Sequence, residues 1–367
     1  MDPVKILKRA WEILWSYRAL WVFGLILALA GTGTSANGSN NGTRYQYDGN
    51  HQQTSPQSMQ EFFKDFDQEM QKLFHEGIPD MHITSQSLIA FLWIVGIFVV
   101  IMLIMGIVMA IARYVSETAV IRMVDEYEGK GTKMTIRQGF GIGWSRTSWR
   151  LFLINLIVNL PAIFLLLILF SAGLAIYFAV VNGNSAFTAA TVIPMIGLVF
   201  LAIFGMVILS IVLHLLRHFF WRVCVLEGAS VGESLRQGFA IVRDNWKNVG
   251  LMWLVMLGLG IAWVVVSIIA VIVTIPAVIV TSMIGLIIVA APALLLVGAF
   301  SLFLSGPLPW IAGGLFVLPL FFIIAFSPWI LLGSWQTVYT STVWTLTYRE
   351  IKALPDIKPE PKVEPVA

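Results

Sequence analysis

Few side chains in this 367-residue chain could do chemistry, and their spacing assembles no catalytic set. Hydrolysis or group transfer needs a nucleophile with a base, or a metal site. The histidines are His51, His75, His82, His214 and His218. Only His214 and His218 share a spacing, i and i+4, and no acid or cysteine at ligand distance in the sequence completes a metal site. Their ordinary role would be as polar side chains at a helix end, near lipid headgroups. Cys224 is the single cysteine, so no intramolecular disulfide can form, and no histidine partner is evident for it. No strand is evident, and no glycine loop follows one to cradle a phosphate. The expectation is a chain that is not an enzyme, with no cofactor, no metal and no nucleic-acid partner.

What remains is polar and cationic. Asn155 and Asn159 stand i, i+4 just before Pro161, which lacks an N–H and frees a carbonyl near Ile157. Such amides serve either as hydrogen bonds between membrane helices, at ~0.6 kcal/mol each, or as a polar lining for a solute or headgroup. Gln336, Thr337, Thr340, Ser341 and Thr345 form a second polar stripe. Arg137, Arg146, Arg150, Arg236, Arg243 and Lys247 lie beside tryptophans, among them Trp144, Trp149 and Trp246. Cations in that setting pair with anionic headgroups, at ~1 kcal/mol each near the surface. They are the candidate headgroup-binding residues. Asn155, Asn159 and Gln336 are the candidate path or helix-packing residues.

The elements that must position these residues are membrane spans. Hydrophobic residues make up 58% of the chain and charged residues 12%. Its apolar runs reach the ~20 residues a span needs. Twenty of the 23 Lys and Arg fall in four segments, 1–18, 113–150, 217–247 and 349–362. The other three, Arg44, Lys64 and Lys72, share a polar loop with seven acids. The positive-inside rule places the basic segments in the cytoplasm and the loop outside.

In order, residues 1–33 are expected to be an interfacial helix and a retained first span rather than a cleaved signal peptide. Residues 34–86 are an extracytoplasmic loop with a helix at 58–76, capped by Ser58 and Glu61. Its apolar face would pack on the bundle or offer a site for a partner protein. Residues 87–133 are a second span, Leu88 to Ala112, and its cytoplasmic extension. Residues 134–231 hold span 3, the short loop NGNSAFTAA, and span 4 from about Val192 to Leu216. Residues 232–354 hold two or four spans in a run, Val249 to Val343, without Lys, Arg, Asp, Glu or His. Breaks are expected at Gly306-Pro307 and, more weakly, at Pro276 and Pro292. Residues 355–367 are a Pro-rich, charged tail expected to be disordered. The spans themselves are expected to lack Asp, Glu, Lys and Arg, which speaks against ion-coupled transport. Trp11, Trp15, Trp144, Trp149, Trp221, Trp246 and Trp344 are all expected near the inner interface.

Arg137-Gln-Gly-Phe140 and Arg236-Gln-Gly-Phe239 are identical tetrapeptides. Each sits on a short amphipathic pattern, with Leu235, Phe239, Val242 and Trp246 on one face of the second. Each leads through Trp149-Arg150 or Trp246-Lys247 into an apolar run. A looser copy opens the chain at Ile6 to Leu27. The architecture expected is an all-α integral membrane protein. It would have at least six transmembrane helices as three parallel hairpins, each preceded by a cytoplasmic interfacial helix, with both termini inside. The SLRQGFAIVRDNWKNVG segment before a span, within 113–350, resembles the bacterial glycerophosphoryl diester phosphodiesterase membrane-domain family. That resemblance implies a multi-pass protein of a prokaryotic cytoplasmic membrane. Some members carry a soluble phosphodiesterase domain, which has no counterpart here, so no catalytic residue carries over. The function expected is binding of anionic lipid or a partner protein by the bundle and its interfacial helices. The alternative is a transporter or channel for an apolar or amphipathic solute.

Overall fold

The structure is a computed structural model and describes residues 1–31, 85–181 and 185–353. The expected helix at 58–76 and the tail at 355–367 lie outside the described residues. Among the described residues every regular element is a helix: α1 Pro3–Ser16, α2 Ala19–Gly31, α3 Ser85–Lys130, α4 Ile136–Gly143, α5 Arg146–Val181, α6 Ser185–Leu226, α7 Val231–Asp244, α8 Trp246–Phe300, α9 Leu308–Ala325 and α10 Ser327–Ala353. Five are long and apolar enough to cross a membrane, and α1 with α2, bent by 99° at Tyr17-Arg18, forms one further broken candidate. The chain is a multi-pass membrane protein.

Local chemistry explains the ends of the short helices. The Asp2 carboxylate accepts from the backbone N–H of Val4 at 3.0 Å and opens α1. Thr135 and Gln138 close a capping box on α4. Ser230 Oγ accepts from the Glu233 N–H at 3.4 Å and opens α7. The connections at 131, 228 and 306 each turn on a glycine with φ near +65° to +69°, where a Cβ would be strained.

Several sequence expectations are corrected. Helix α6 begins at Ser185, not near Val192, so most of NGNSAFTAA is helical. Pro276 and Pro292 lie inside α8, while Gly306-Pro307 is a true break. The run expected to hold two or four spans contains two candidate spans, α8 and α9, and most of α10, and α8 has 55 residues. At 1.5 Å per residue that helix extends about 80 Å, over twice the ~30 Å hydrocarbon core. The long helices α3 and α6 continue past the ends of their apolar runs. Glu117, Arg217 and Arg222 lie on α3 and α6 within the candidate spans, and Arg222 is only 1% exposed. Trp221 and Trp344 are buried within the protein, one under Arg217 and the other on His218.

Two units divide the described chain. The first includes α1, α2, residues 108–273 and 329–353. Its core is not made by the most apolar stretches. It is made by the segments that follow them, Tyr114 to Val124 on α3, Leu216 to Val225 on α6 and Val338 to Tyr348 on α10, with α1 and α2 packed in. Lipid satisfies an apolar side chain as well as protein does, so the apolar runs need no partner helix on every face. The polar and aromatic segments do need one. Helix α5 packs on α6, and α7 packs on both.

The second unit includes residues 85–107 and 274–328 among those described. Leu304, Leu308 and Ala312 are buried there against Ala90, Phe91, Ile94 and Phe300. Helices α8 and α9 approach closely at Gly313, where an added Cβ would stand 2.7 Å from Val297 Cγ2. Thr281 Oγ1 donates to the carbonyl of Ala325 at 2.8 Å and satisfies the end of α9.

Candidate functional site

The buried polar groups of the first unit gather on α3, α5, α6 and α10. Asn155 Nδ2 donates to the Tyr114 hydroxyl at 2.9 Å. Asn155 Oδ1 accepts from Arg217 Nη1 at 3.3 Å. Arg217 Nη2 lies 3.1 Å from His214 Nδ1. An arginine has only donors, so that imidazole nitrogen is the acceptor. The Arg217 guanidinium also lies 5.0 Å from the Trp221 ring centroid, in cation–π contact. His214 meets His218 edge-on at 5.1 Å, and His218 stacks on Trp344 at 4.8 Å. Arg222 continues the chain of contacts. It donates to the carbonyl of His218 at 2.9 Å and to Ser341, whose hydroxyl in turn donates to Glu117 at 2.8 Å.

The polar residues singled out in the sequence are placed as follows. Asn155 and Asn159 are brought together, Asn159 Nδ2 donating to the carbonyl of Asn155 at 2.8 Å. Gln336 is half-buried on α10 and shares no hydrogen bond with either asparagine. His214 and His218 do not assemble a metal site with a third ligand, and no group of three or more such ligands occurs among the described residues. Cys224 is fully buried in an apolar cluster with Leu151, Ile154 and Phe220.

Arg222 and two further arginines, Arg122 and Arg349, do structural work that was not evident from the sequence. Each sits on the core segment of one long helix and reaches a backbone carbonyl of another. Arg122 on α3 donates to Val225 on α6 at 3.4 Å, and also to Ile142 at 3.2 Å. Arg222 on α6 donates to Ser341 on α10 at 2.9 Å. Arg349 on α10 donates to Asp125 on α3 at 2.8 Å, and pairs with the Asp125 carboxylate. The three contacts close a ring from α3 to α6 to α10 and back.

The short helices share a surface pattern. Ala10, Gly139 and Gly238 are buried, and each is followed by an exposed aromatic. Trp11 is 50% exposed, Phe140 37% and Phe239 53%. At Gly238 a Cβ would stand 2.6 Å from the Phe220 ring, and at Gly139 2.6 Å from Met123 Sδ and 2.7 Å from Phe23. The candidate headgroup residues are placed as follows. Arg137, Arg146 and Arg236 are exposed and make no hydrogen bond or ion pair with a described residue. Arg243 pairs with Asp244 at 3.1 Å, and Lys247 lies 6.0 Å from the Trp246 ring centroid. Arg150 is engaged elsewhere, donating to the carbonyls of Gly228 at 2.7 Å and Ala229 at 3.1 Å just past the end of α6.

Beyond α6, Glu227 accepts from Lys352 at 2.7 Å and from the Tyr348 hydroxyl. Partial burial pushes its carboxyl up, but the bonds from Lys352 and Tyr348 outweigh that and hold it below the ordinary glutamate value. Burial, with the Glu227 charge beside it, pushes the Tyr348 hydroxyl well up, so it stays protonated as the donor.

No curated protein and no solved structure matches the chain, and none of the comparisons links it to the glycerophosphoryl diester phosphodiesterase membrane domains. A family does match nearly the whole of it, residues 7–356, including all of the first unit's described core except Ile6. The chain therefore belongs to DUF7544, a family of unknown function.

Proposed function

We propose that this protein is a non-enzymatic membrane protein that holds anionic lipid at the cytoplasmic face of a prokaryotic cell membrane. In this reading both termini are inside. The chain is three parallel units, each opened by a short amphipathic helix lying in the headgroup layer. The observation that carries it is the pattern at Ala10-Trp11, Gly139-Phe140 and Gly238-Phe239. A small residue lets each helix sit close on the core, and the aromatic beside it faces outward. Exposed Lys8, Arg137 and Arg236, three residues before each aromatic, stand ready for phosphate. Aromatic side chains and cations side by side are the composition that headgroup layers select.

The test is lipid retention in nanodiscs containing phosphatidylglycerol and phosphatidylcholine. Arg137→Gln, Arg236→Gln and Arg243→Gln combined should lower the enrichment of phosphatidylglycerol around the protein. Unchanged enrichment in a folded variant refutes the reading. A partner protein docking on residues 58–76 would belong to the same non-enzymatic class.

A second reading rests on the polar chain from Tyr114 through Asn155 to Arg217 and His214. Such a chain inside a bundle would line a path for an amphipathic solute, and it supports a transporter. Asn155→Leu would then abolish flux into liposomes while leaving the fold intact.

A further inference from the structure

The cluster around Arg217 is short of acceptors. Arg217 Nε, Trp221 Nε1 and Arg222 Nε are buried and have no hydrogen-bond partner among the described residues. All three are donors, and none can act as an acceptor. They lie within a turn and a half of α6, with the Arg217 guanidinium over the Trp221 ring.

The cluster is also short of negative charge. Arg217 and Arg222 both stay protonated in proteins. No carboxylate among the described residues lies within 4.0 Å of either, since none of the ion pairs includes them. Glu117 is the acid whose field reaches both, and it is already accepting from Ser341. Arg113 adds a further positive field at Arg217. Buried cations persist where an anion or a full set of acceptors compensates them. The described chain supplies each only in part: Glu117 is one negative charge against two arginines, and the three donors above have no acceptor.

The position is informative as well. Arg217 follows directly on the apolar run that ends at Leu216, and Tyr114 follows the run that ends at Ala112. Residues at the end of an apolar run stand at the depth of lipid phosphates. Arg217, His214, Asn155 and Asn159 are half-buried, so the cluster is open on one flank, while Arg222 closes its inner end.

We infer that Arg217, with Asn155, His214 and the Trp221 N–H around it, binds a phosphate group inside the bundle, distinct from the exposed arginines of the short helices. An oxygen of the phosphate would take the unused Nε–H of Arg217 and the Trp221 N–H, and its charge would balance the Arg217–Arg222 excess. The phosphate comes either from an anionic phospholipid whose tails leave through the open flank or from free inorganic phosphate.

The purified full-length protein in mild detergent would be titrated with dioctanoyl phosphatidylglycerol and, separately, with inorganic phosphate. Tryptophan fluorescence and native mass spectrometry would follow each titration. Saturable binding of a single phosphatidylglycerol, weakened at least about tenfold by Arg217→Gln, is the expected result; losing a charge-assisted hydrogen bond has an effect of that order. The same dependence on Arg217 with inorganic phosphate, and none with the lipid, identifies free phosphate as the ligand. The combined Arg137→Gln, Arg236→Gln and Arg243→Gln variant should leave this site intact, so the surface reading and this one fail separately. Wild-type protein that shows no saturable site for either probe overturns the inference, and that arm needs no variant to fold. Binding that Arg217→Gln leaves unchanged overturns it equally.

Discussion

The close seating of the short helices can be tested by one atom. Gly238→Ala on α7 would place a methyl group 2.6 Å from Cδ1 of Phe220 and 3.2 Å from its backbone nitrogen. Carbon atoms pack comfortably at about 3.5 Å, so helix and ring must separate by about 0.9 Å. Phe220 is buried on α6 among Leu151, Ile154 and Cys224, and has little room to give. Overpacking of this kind costs about 1–3 kcal/mol. The alanine also recovers about 0.5–1 kcal/mol of helix propensity. The net expectation is a loss of about 1.3 kcal/mol at the middle of both ranges, and of at most about 2.5 kcal/mol. Gly139→Ala on α4 meets Met123 Sδ and the buried Phe23 ring and should lose a similar or smaller amount, because a methionine end can move. Gly141→Ala, two residues further along the same helix, meets nothing within 4 Å and should be neutral or mildly stabilising. The assay is the thermal unfolding midpoint in detergent, followed by tryptophan fluorescence. The reasoning fails if Gly238→Ala is as stable as wild type, or if Gly139→Ala and Gly141→Ala shift the midpoint in the same direction by the same amount.

The ring of arginines predicts a ranking. Arg222→Leu leaves the carbonyls of His218 and Ser341 and the Glu117 charge uncompensated in the core, a loss of about 3–5 kcal/mol. Arg349→Leu breaks a pair about a third exposed and should cost about 1 kcal/mol, so equal midpoints for the two variants would contradict the burial argument. The depressed Glu227 carboxyl gives a pH dependence. Its stabilisation is full above the unfolded glutamate value of about 4.3 and is lost as pH falls through the lower folded value. Unfolding midpoints from pH 6 downward should therefore fall less in Glu227→Gln than in wild type, and parallel curves would dismiss the contact. Asn155→Leu should lower the midpoint by removing the bonds to Tyr114 and Arg217. Loss of flux with an unchanged midpoint would instead favour the transporter.

Helix content and the membrane class were legible in the sequence because both follow from local properties. An apolar run of sufficient length must satisfy its own backbone, and only a helix does so in one segment. The short helices were legible from their periodicity and from the Ser, Thr and Asp caps. The repeated RQGF tetrapeptide was visible, but not that its glycine is the seat of the helix on Phe220. The segments after the apolar runs were misjudged most. Arg122, Arg222 and Glu117 fall in the expected cytoplasmic extensions and Trp344 at the expected interface, and nothing local marks any of them as core. They are core because each finds its partner on a distant helix, Ser341 for Glu117 and Arg222, Val225 for Arg122. Charge along the chain told which ends of the helices are polar. Which of those polar groups are buried was decided by tertiary structure alone, since a buried cation is tolerated only where carbonyls from elsewhere in the chain converge on it.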